Sequence, residues 1–339
     1  RFSSDDYCKE QCNKISEIIL GTSIAINFIN AFNYNDIKVF VYKKIFEDFK
    51  IYFSYIYLQN YNKKNIYLIV NNENIYKILK KINNNVELTL KIDQITNIKK
   101  KIKFFIKKFL KKRNNIINDQ KSSKISISYI EGYDPQKKND LFWFYNSQIK
   151  RSDILVYYES DDYKFKHDFK KKTGVNYFKS LGIKDIKINN FFKPYFHKKI
   201  DLLFQKIDNN KINDTPYNKY TNEIFLDFLN QIEKWYSFFK HHNIKIDITN
   251  LEIGTNIIAK KIAINLVDGC TIKKVRSYIG TDEPRSIAGW HNEDVVMVWG
   301  KDLYYRLKDT INYPNTTVIT GHYSGIKTPK ISDELKLFL

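Results

Sequence analysis

The chain has 339 residues, which is enough for one large domain or two smaller ones. Hydrophobic residues make up 43% and aromatic residues 16%, so the chain has material for a sizeable core and is not a globally disordered protein. The formal charge of +20 favours partners that carry phosphate, such as nucleic acid, anionic lipid headgroups or phosphorylated substrates. Because Lys, Asn and Ile are abundant throughout, part of this charge reflects composition rather than a concentrated binding site.

The three cysteines, Cys8, Cys12 and Cys270, are an odd number with no regular spacing, which argues against a disulfide framework. No metal site is expected, because Cys8 and Cys12 have no second pair of ligands nearby. The cysteine usage favours a reduced, cytoplasmic protein.

No transmembrane helix is predicted. The most apolar early stretch, Ile15–Phe32, is interrupted by Glu17, Asn27 and Asn30 and falls short of the roughly 20 apolar residues that cross a bilayer. We expect a cytoplasmic location. Peripheral attachment to the inner face of the membrane is compatible with that location.

Residues 1–60 are predicted to form a helical N-terminal segment. Apolar residues recur there at three- and four-residue spacing: Ile15, Ile18, Ile19, Ile26, Ile29, Phe46, Phe49, Phe53 and Ile56. The short apolar run Ile66–Val70 then predicts a buried parallel strand, and the spacing over Ile75–Ile82 predicts a helix.

The densest basic run is Lys99–Arg113, which has the pattern of an amphipathic helix with apolar residues on one face and lysines on the other. Three roles are open for this run. The run could form a solvated face of the fold, a patch that lies on a membrane surface, or a site for nucleic acid.

Strand-like and helix-like segments alternate from there to residue 321, which predicts an α/β fold with a mainly parallel sheet and helices on both faces. A polar stretch, residues 205–220, is predicted as a long loop or linker. The predicted strands are 125–129, 153–158, 185–188, 244–249, 271–275, 294–300 and 317–321, and the predicted helices are 221–240 and 256–266. Leu181–Gly182 has the pattern of a helix end.

The loop Asn250–Thr255 is the first candidate site, because ligands of parallel sheets bind where strands end and helices begin. Glu252 could take a proton from an attacking hydroxyl. Gly254 allows a tight turn, and Thr255 could cap the helix that follows and leave its start open to an anion. The structural alternative is a solvated loop carboxylate.

Four further residues follow or precede strand ends. Arg276 and Ser277 follow a predicted strand, and an arginine there could hold phosphate through two hydrogen bonds. His291 precedes a strand and could act as a base, and His322 follows the last strand, a position suited to ligand contact. The alternatives are a surface arginine and structural histidines.

The chain lacks the phosphate-binding GxxxxGK[ST] sequence and the dinucleotide-binding GxGxxG sequence. The zinc-protease sequence HExxH, the hydrolase sequence GxSxG and CxxC pairs are also absent. The sequence therefore gives no indication of a P-loop ATPase, a dinucleotide dehydrogenase, a zinc protease or an α/β-hydrolase.

Several short sequence motifs resemble segments of proteins of bacterial surface-carbohydrate (capsule or O-antigen) biosynthesis. They are the words DLFWFY and DILVYY within Asp140–Tyr158, the acid-x-Gly-Thr loop and the Arg276–Ser277 strand end within Lys240–Gly280, and the words VWG (Val298–Gly300) and ITG (Ile319–Gly321). This order resembles the N-terminal half of glycosyltransferases with two facing Rossmann-like domains, the GT-B architecture. Similar endings occur in relatives that transfer glycerol phosphate.

The resemblance implies a Rossmann-like domain over residues 61–326, with residues 327–339 beginning a linker to a second domain. It implies transfer of a sugar from a nucleotide sugar, with no separate cofactor, to a glycan or lipid-linked acceptor. Glu252 is the first candidate for the catalytic base and His291 the second. Gly254, Thr255, Arg276, Ser277 and His322 are the candidate substrate-binding residues. No specific nucleic-acid partner is expected for such an enzyme.

A non-catalytic basic module that binds nucleic acid or anionic membrane is the alternative function, and the run 99–113 separates the two. If the chain is a transferase, changing Lys107, Lys108, Lys111 and Lys112 to Glu leaves saturable nucleotide-sugar binding unchanged. If it is a basic module, the same change abolishes polyanion binding that already weakens steeply with salt. Titrations of the two ligand classes at several ionic strengths distinguish these outcomes.

Overall fold

The structure is a computed structural model that describes residues 3–62, 68–83, 88–91, 123–129, 148–158, 182–187, 195–209, 215–249, 255–274, 293–298, 300–308 and 315–320. The basic run 99–113 lies outside the described residues. No helix within these ranges carries an apolar stretch long enough to cross a bilayer.

The chain folds into two compact units that are interleaved along the sequence. The helical unit comprises Arg1–Gln120, Phe191–His241 and Ile253–Leu266, and the sheet unit comprises Lys121–Asn190, His242–Glu252 and Val267–Leu339. The expected domain division at residues 60 and 326 stays a prediction. In the structure, the N-terminal helices group with two later segments of the chain.

Seven helices are described in the helical unit. They are α1 (Ser4–Leu20), α2 (Ser23–Ala31), α3 (Tyr34–Asn62), α4 (Glu73–Ile82), α5 (Lys198–Asn209), α6 (Pro216–His242) and α7 (Asn256–Asn265). The predicted helices within residues 1–60, at 75–82, 221–240 and 256–266 are confirmed. Two short strands, β1 (Leu68–Val70) and β2 (Leu88–Leu90), pair in parallel in a small sheet of their own.

Local sequence explains where the first helices begin. Ser3 accepts a hydrogen bond from the backbone N–H of Asp6, whose carboxylate in turn accepts one from the N–H of Ser3. This reciprocal capping box satisfies two N–H groups that a helix start otherwise leaves unpaired. Thr22 and Asn72 cap α2 and α4, because their side-chain oxygens accept hydrogen bonds from backbone N–H groups of the first turn.

Aromatic packing forms much of the core of the helical unit. The rings of Phe40 on α3 and Phe228 on α6 stack with their centroids 3.7 Å apart, and Phe28 on α2 lies 4.5 Å from Phe225. All four rings are buried. The long apolar face predicted for residues 221–240 therefore packs against the N-terminal helices, as its helical periodicity requires.

The prediction of a long loop or linker at residues 205–220 is wrong at both ends. Residues 205–209 belong to α5 and residues 216–220 belong to α6, while 210–214 lie outside the described residues. Ile207 continues the buried helical series of Ile200 and Leu203, whereas the polar residues Gln205 and Lys206 are exposed. Pro216 does not end a helix but begins one, because its fixed φ suits the first helical position.

The sheet unit contains seven parallel strands and one described helix. They are β3 (Ile125–Tyr129), β4 (Ile154–Tyr158), β5 (Lys184–Lys187), β6 (Ile246–Thr249), β7 (Cys270–Lys274), β8 (Val295–Val298), β9 (Thr316–Ile319) and α8 (Lys301–Lys308). The order across the sheet is β5-β4-β3-β6-β7-β8-β9, and every neighbouring pair is parallel. The predicted α/β class and parallel sheet are confirmed and are compatible with a Rossmann-like fold. The GT-B assignment stays a prediction.

A buried ion pair ties two helices of the helical unit together. Lys261 Nζ on α7 donates a hydrogen bond to Asp36 Oδ1 on α3 over 2.8 Å, and both side chains are almost fully buried. Asp36 also lies in the first turn of α3, where the helix dipole favours a negative charge. The pair therefore fixes the start of α3 against α7.

We expect Lys261→Met to lower the free energy of unfolding by about 3–5 kcal/mol, because it leaves the Asp36 carboxylate buried without its cation. Chemical denaturation measures this effect. Lys14→Met is the matched control, since Lys14 forms an exposed pair with Glu10 that contributes at most about 1 kcal/mol. Equal losses for the two variants would contradict the assigned role.

Candidate functional site at the centre of the sheet

The order of the strands reverses between β3 and β6. From β3 the chain proceeds outward through β4 to β5, then returns to place β6 on the other side of β3 and continues outward through β7, β8 and β9. Ligands of open parallel sheets bind outside the carboxyl ends of the strands at such a reversal. The carboxyl ends of β3 and β6, at Tyr129 and Thr249, therefore mark the candidate site.

Six of the seven predicted site residues lie outside the described residues, so their roles stay predictions. They are Glu252, Gly254, Arg276, Ser277, His291 and His322. Glu252 follows β6 by three residues in the sequence and Arg276 follows β7 by two. In the sequence, both therefore follow closely after two strands that are adjacent in the sheet.

Thr255 is described, and it does not cap α7 with its side chain. It occupies the position before the helix, but its hydroxyl makes no capping hydrogen bond. Its backbone is already helical, with φ −76° and ψ −20°, whereas a capping side chain needs an extended backbone. The predicted cap is therefore wrong, and the predicted substrate contact of Thr255 stays a prediction.

The two faces of the sheet differ sharply in chemistry. Because side chains alternate along each strand, residues paired in register share a face. One face carries isoleucines and valines at the centre of the sheet. The other face carries buried polar side chains on four adjacent strands: Ser126, Ser128, Tyr157, Asp247, Thr249, Thr271 and Lys273. We call these seven residues the polar face.

Asp247 lies at the middle of the polar face, on β6, and is fully buried. Ser126 Oγ on β3 donates a hydrogen bond to Asp247 Oδ1 over 2.6 Å. The hydroxyl of Tyr157 on β4 donates to the same carboxyl group, at 3.0 Å from Oδ1 and 3.2 Å from Oδ2. Side chains from three strands thus meet at one carboxyl group, and this group lies on β6, one of the two strands between which the strand order reverses.

Burial raises the pKa of Asp247 to about 7, although the hydrogen bonds from Ser126 and Tyr157 favour the charged form. Burial and the neighbouring Asp247 raise the pKa of Tyr157 well above its ordinary value, so the phenol remains protonated and remains a donor. Near neutral pH the carboxyl group of Asp247 therefore exists in both protonation states. Such a group can store a proton inside the sheet.

Lys273 on β7 places a cation on the same face. Its side chain is fully buried, and its Nζ lies 3.6 Å from Glu293 Oε1. The ammonium makes no hydrogen bond to any described residue. Lys273 pairs in register with Thr249, the last residue of β6, so its backbone lies beside the carboxyl end of that strand. A buried ammonium without hydrogen bonds is costly to keep, which makes Lys273 a candidate functional group.

Asp294, which the sequence places near His291, has a structural role. Its carboxylate accepts hydrogen bonds from the backbone N–H of Thr271 over 2.8 Å and from Thr271 Oγ1 over 3.0 Å. Its own N–H donates to Thr271 Oγ1 over 3.1 Å. This reciprocal arrangement aligns the amino ends of β7 and β8 and fixes the register that positions Lys273.

Sequence reasoning missed the polar face, although a signal was present. Ile125–Tyr129 (ISISY) and Ile246–Thr249 (IDIT) alternate apolar and polar residues, whereas strands buried on both faces usually read as continuous apolar runs. The alternation identifies one polar face but does not say which polar residues share it. That depends on register between strands that are distant in the sequence.

We expect Asp247→Asn to remove a pH dependence of stability. Between about pH 4 and pH 7 the folded chain holds the Asp247 proton and the unfolded chain has released it, so stability falls as pH rises, by about 1.4 kcal/mol per pH unit at most. The variant lacks this slope. Its stability relative to the original chain should rise by up to about 4 kcal/mol across the window and stay level above it. Denaturation midpoints over this pH range measure the difference.

Ser126→Ala is the second variant for the same experiment. It removes a hydrogen bond that favours the charged carboxylate, so the folded pKa of Asp247 should rise further and the upper end of the window in which stability falls should move to higher pH. The lower end, which the unfolded chain sets, should stay in place. Parallel stability curves for Asp247→Asn and the original chain would show that Asp247 does not titrate in this range.

No cluster of three potential metal ligands occurs among the described residues. Comparisons with protein-family models, with curated proteins and with solved structures each found no match for this chain.

Proposed function

We propose that this chain is a glycosyltransferase-like protein of bacterial surface-polysaccharide biosynthesis. It transfers a sugar from a nucleotide sugar to a glycan or lipid-linked acceptor. The observation that supports this proposal most is the all-parallel sheet whose strand order reverses between β3 and β6. A reversal of this kind opens a crevice at the carboxyl ends of the strands, and the segment containing Glu252 begins there.

The proposed reaction is an acid–base-assisted substitution at the sugar. The carboxylate of Glu252 accepts the proton of the acceptor hydroxyl as its oxygen forms a bond to the anomeric carbon. The bond from that carbon to the phosphate oxygen breaks, and the nucleotide leaves with the electron pair. His291 is the second candidate for the base.

The leaving nucleotide carries negative charge that the protein has to stabilise. Arg276, two residues beyond β7, is suited to hold phosphate oxygens through two hydrogen bonds. Ser277 and His322 are further donors after strand ends. Fixed positive groups and donors at the point where charge develops are commonly the largest contribution to catalysis.

The polar face stabilises the strands whose carboxyl ends would form such a site. Lys273 lies on β7, the strand that leads to Arg276, and its buried ammonium lies 3.6 Å from Glu293 Oε1. The hydrogen bonds of Asp247 hold β3, β4 and β6 together below the proposed crevice. A site that must position two substrates benefits from such rigid support.

The first experiment is binding of nucleotide sugars. Isothermal titration with a panel of uridine-, guanosine-, cytidine- and thymidine-based sugars should give saturable binding for one base. Arg276→Ala should weaken it by roughly 10-fold or more, because a charge-assisted contact to phosphate contributes about 1.5–3 kcal/mol. Absence of binding across the panel would contradict the proposed function.

Glu252→Gln tests the catalytic role. We expect the transfer rate to fall roughly 10²–10⁴-fold while nucleotide-sugar affinity stays nearly unchanged, because the variant cannot accept a proton. Transfer of labelled sugar to an acceptor extract measures the rate. Glu10→Gln is the matched control, since Glu10 lies on the exposed face of α1. A full rate in Glu252→Gln would exclude Glu252 as the base.

A further inference from the structure

The exposed face of α5 combines apolar and basic side chains. Phe196, two residues before the helix, is 78% exposed, and Leu202 on the helix is 45% exposed. Lys198, Lys199 and Lys206 are exposed around Leu202, because these positions share one side of the helix. We call these five residues the α5 face. The opposite side of α5 is buried.

Phe196 is exposed although its neighbours are held in place. The backbone N–H of Tyr195 donates to Ser237 Oγ on α6 over 3.0 Å, and the Tyr195 hydroxyl lies 3.2 Å from His241 Nδ1. The ring of His197 packs edge-on against Tyr236 at 5.0 Å. The chain is therefore fixed on both sides of Phe196, and the exposed ring belongs to an ordered surface.

The charge at this end of α5 is predominantly positive. Lys198 and Lys199 are exposed in the first turn of α5, and Lys240 at the end of α6 is exposed as well. Burial, and then the ammonium groups of Lys199 and Lys240, lower the pKa of His197. Asp201 acts in the opposite direction and is half-buried, and the exposed Asp208 lies at the far end of the helix. Cations thus surround the start of the α5 face.

The surface continues onto α2. Lys206 Nζ donates to Asn27 Oδ1 over 2.9 Å, and the adjacent Ile26 is 46% exposed. The helix α2 contains no acidic residue. Two neighbouring helices therefore present apolar side chains with lysines beside them and few carboxylates.

We infer that the α5 face binds the surface of an anionic lipid bilayer. Amphipathic surfaces with Lys beside Phe and Leu lie in the plane of a membrane interface, where the apolar groups enter the headgroup region and the lysines contact lipid phosphates. Leu202 and Ile26 favour this partner over nucleic acid, because aliphatic side chains gain nothing from a phosphate backbone. The inference is independent of the proposed chemistry.

Vesicle co-sedimentation of the full chain tests the inference. The chain should bind mixed phosphatidylcholine–phosphatidylglycerol vesicles and not pure phosphatidylcholine vesicles. Lys198→Glu with Lys199→Glu should weaken binding by roughly 30-fold or more, since each lysine near an anionic surface contributes about a factor of five. Phe196→Ser with Leu202→Ser should weaken it on the order of 10-fold.

Two double variants serve as matched controls. Lys77→Glu with Lys80→Glu changes the net charge equally on the exposed side of α4. Ile51→Ser with Leu58→Ser removes apolar groups of α3 that are 58% and 41% exposed. Both controls should bind like the original chain. Equal weakening in the controls would show that binding depends on total charge or general surface apolarity, and would overturn the inference.

Phe196→Trp provides a readout that does not depend on loss of binding. The tryptophan fluorescence of this variant should shift to shorter wavelength on anionic vesicles. Brominated lipid should quench it more strongly than it quenches the original chain, which has four native tryptophans. An unchanged emission from a bound protein would show that Phe196 stays in water, and would also overturn the inference. Binding to RNA in preference to vesicles would have the same effect.

Discussion

The pairing of the central strands in the sheet unit depends on the hydrogen bonds of one buried carboxyl group. Asp247 is fully enclosed on the central strand β6, and a carboxylate without partners would be costly in that position. Hydroxyl groups of Ser126 on β3 and Tyr157 on β4 replace the lost water. Their geometry is met only when β3, β4 and β6 are in the observed register. The same contacts that satisfy the carboxyl group therefore specify how the strands pair.

This polar core lies on the strands whose carboxyl ends form the candidate ligand site. The strand-order reversal lies between β3 and β6, the two strands that Asp247 and Ser126 join. Lys273 adds a buried cation on the next strand, aligned by the reciprocal hydrogen bonds of Thr271 and Asp294. A fold built for stability alone would gain more from aliphatic side chains at these positions. Their polarity is what connects the core of the sheet to the proposed transferase site.

The helical unit follows a different principle. Its core is aromatic, with Phe40 stacked on Phe228, and a deeply buried ion pair joins Asp36 to Lys261. It also leaves Phe196 exposed on a segment that is held firmly to α6. Together with Leu202 and the lysines of the α5 face, this ring forms the surface that we propose binds an anionic bilayer.

The sequence by itself determined the local elements, because helical spacing and short apolar runs are set by neighbouring residues. It predicted the N-terminal helices, α6, α7 and the parallel strands. The predicted helix end at Leu181–Gly182 falls partly outside the described residues, but Gly182 has the positive φ of 70° that such an end favours. The prediction failed at residues 205–220, where polar composition concealed two helix ends. Only the tertiary structure decided that Ser126 meets Asp247 across 121 residues and Asp36 meets Lys261 across 225. Such contacts depend on strand order and register, which arise from packing between distant segments and leave no periodic signal in the chain.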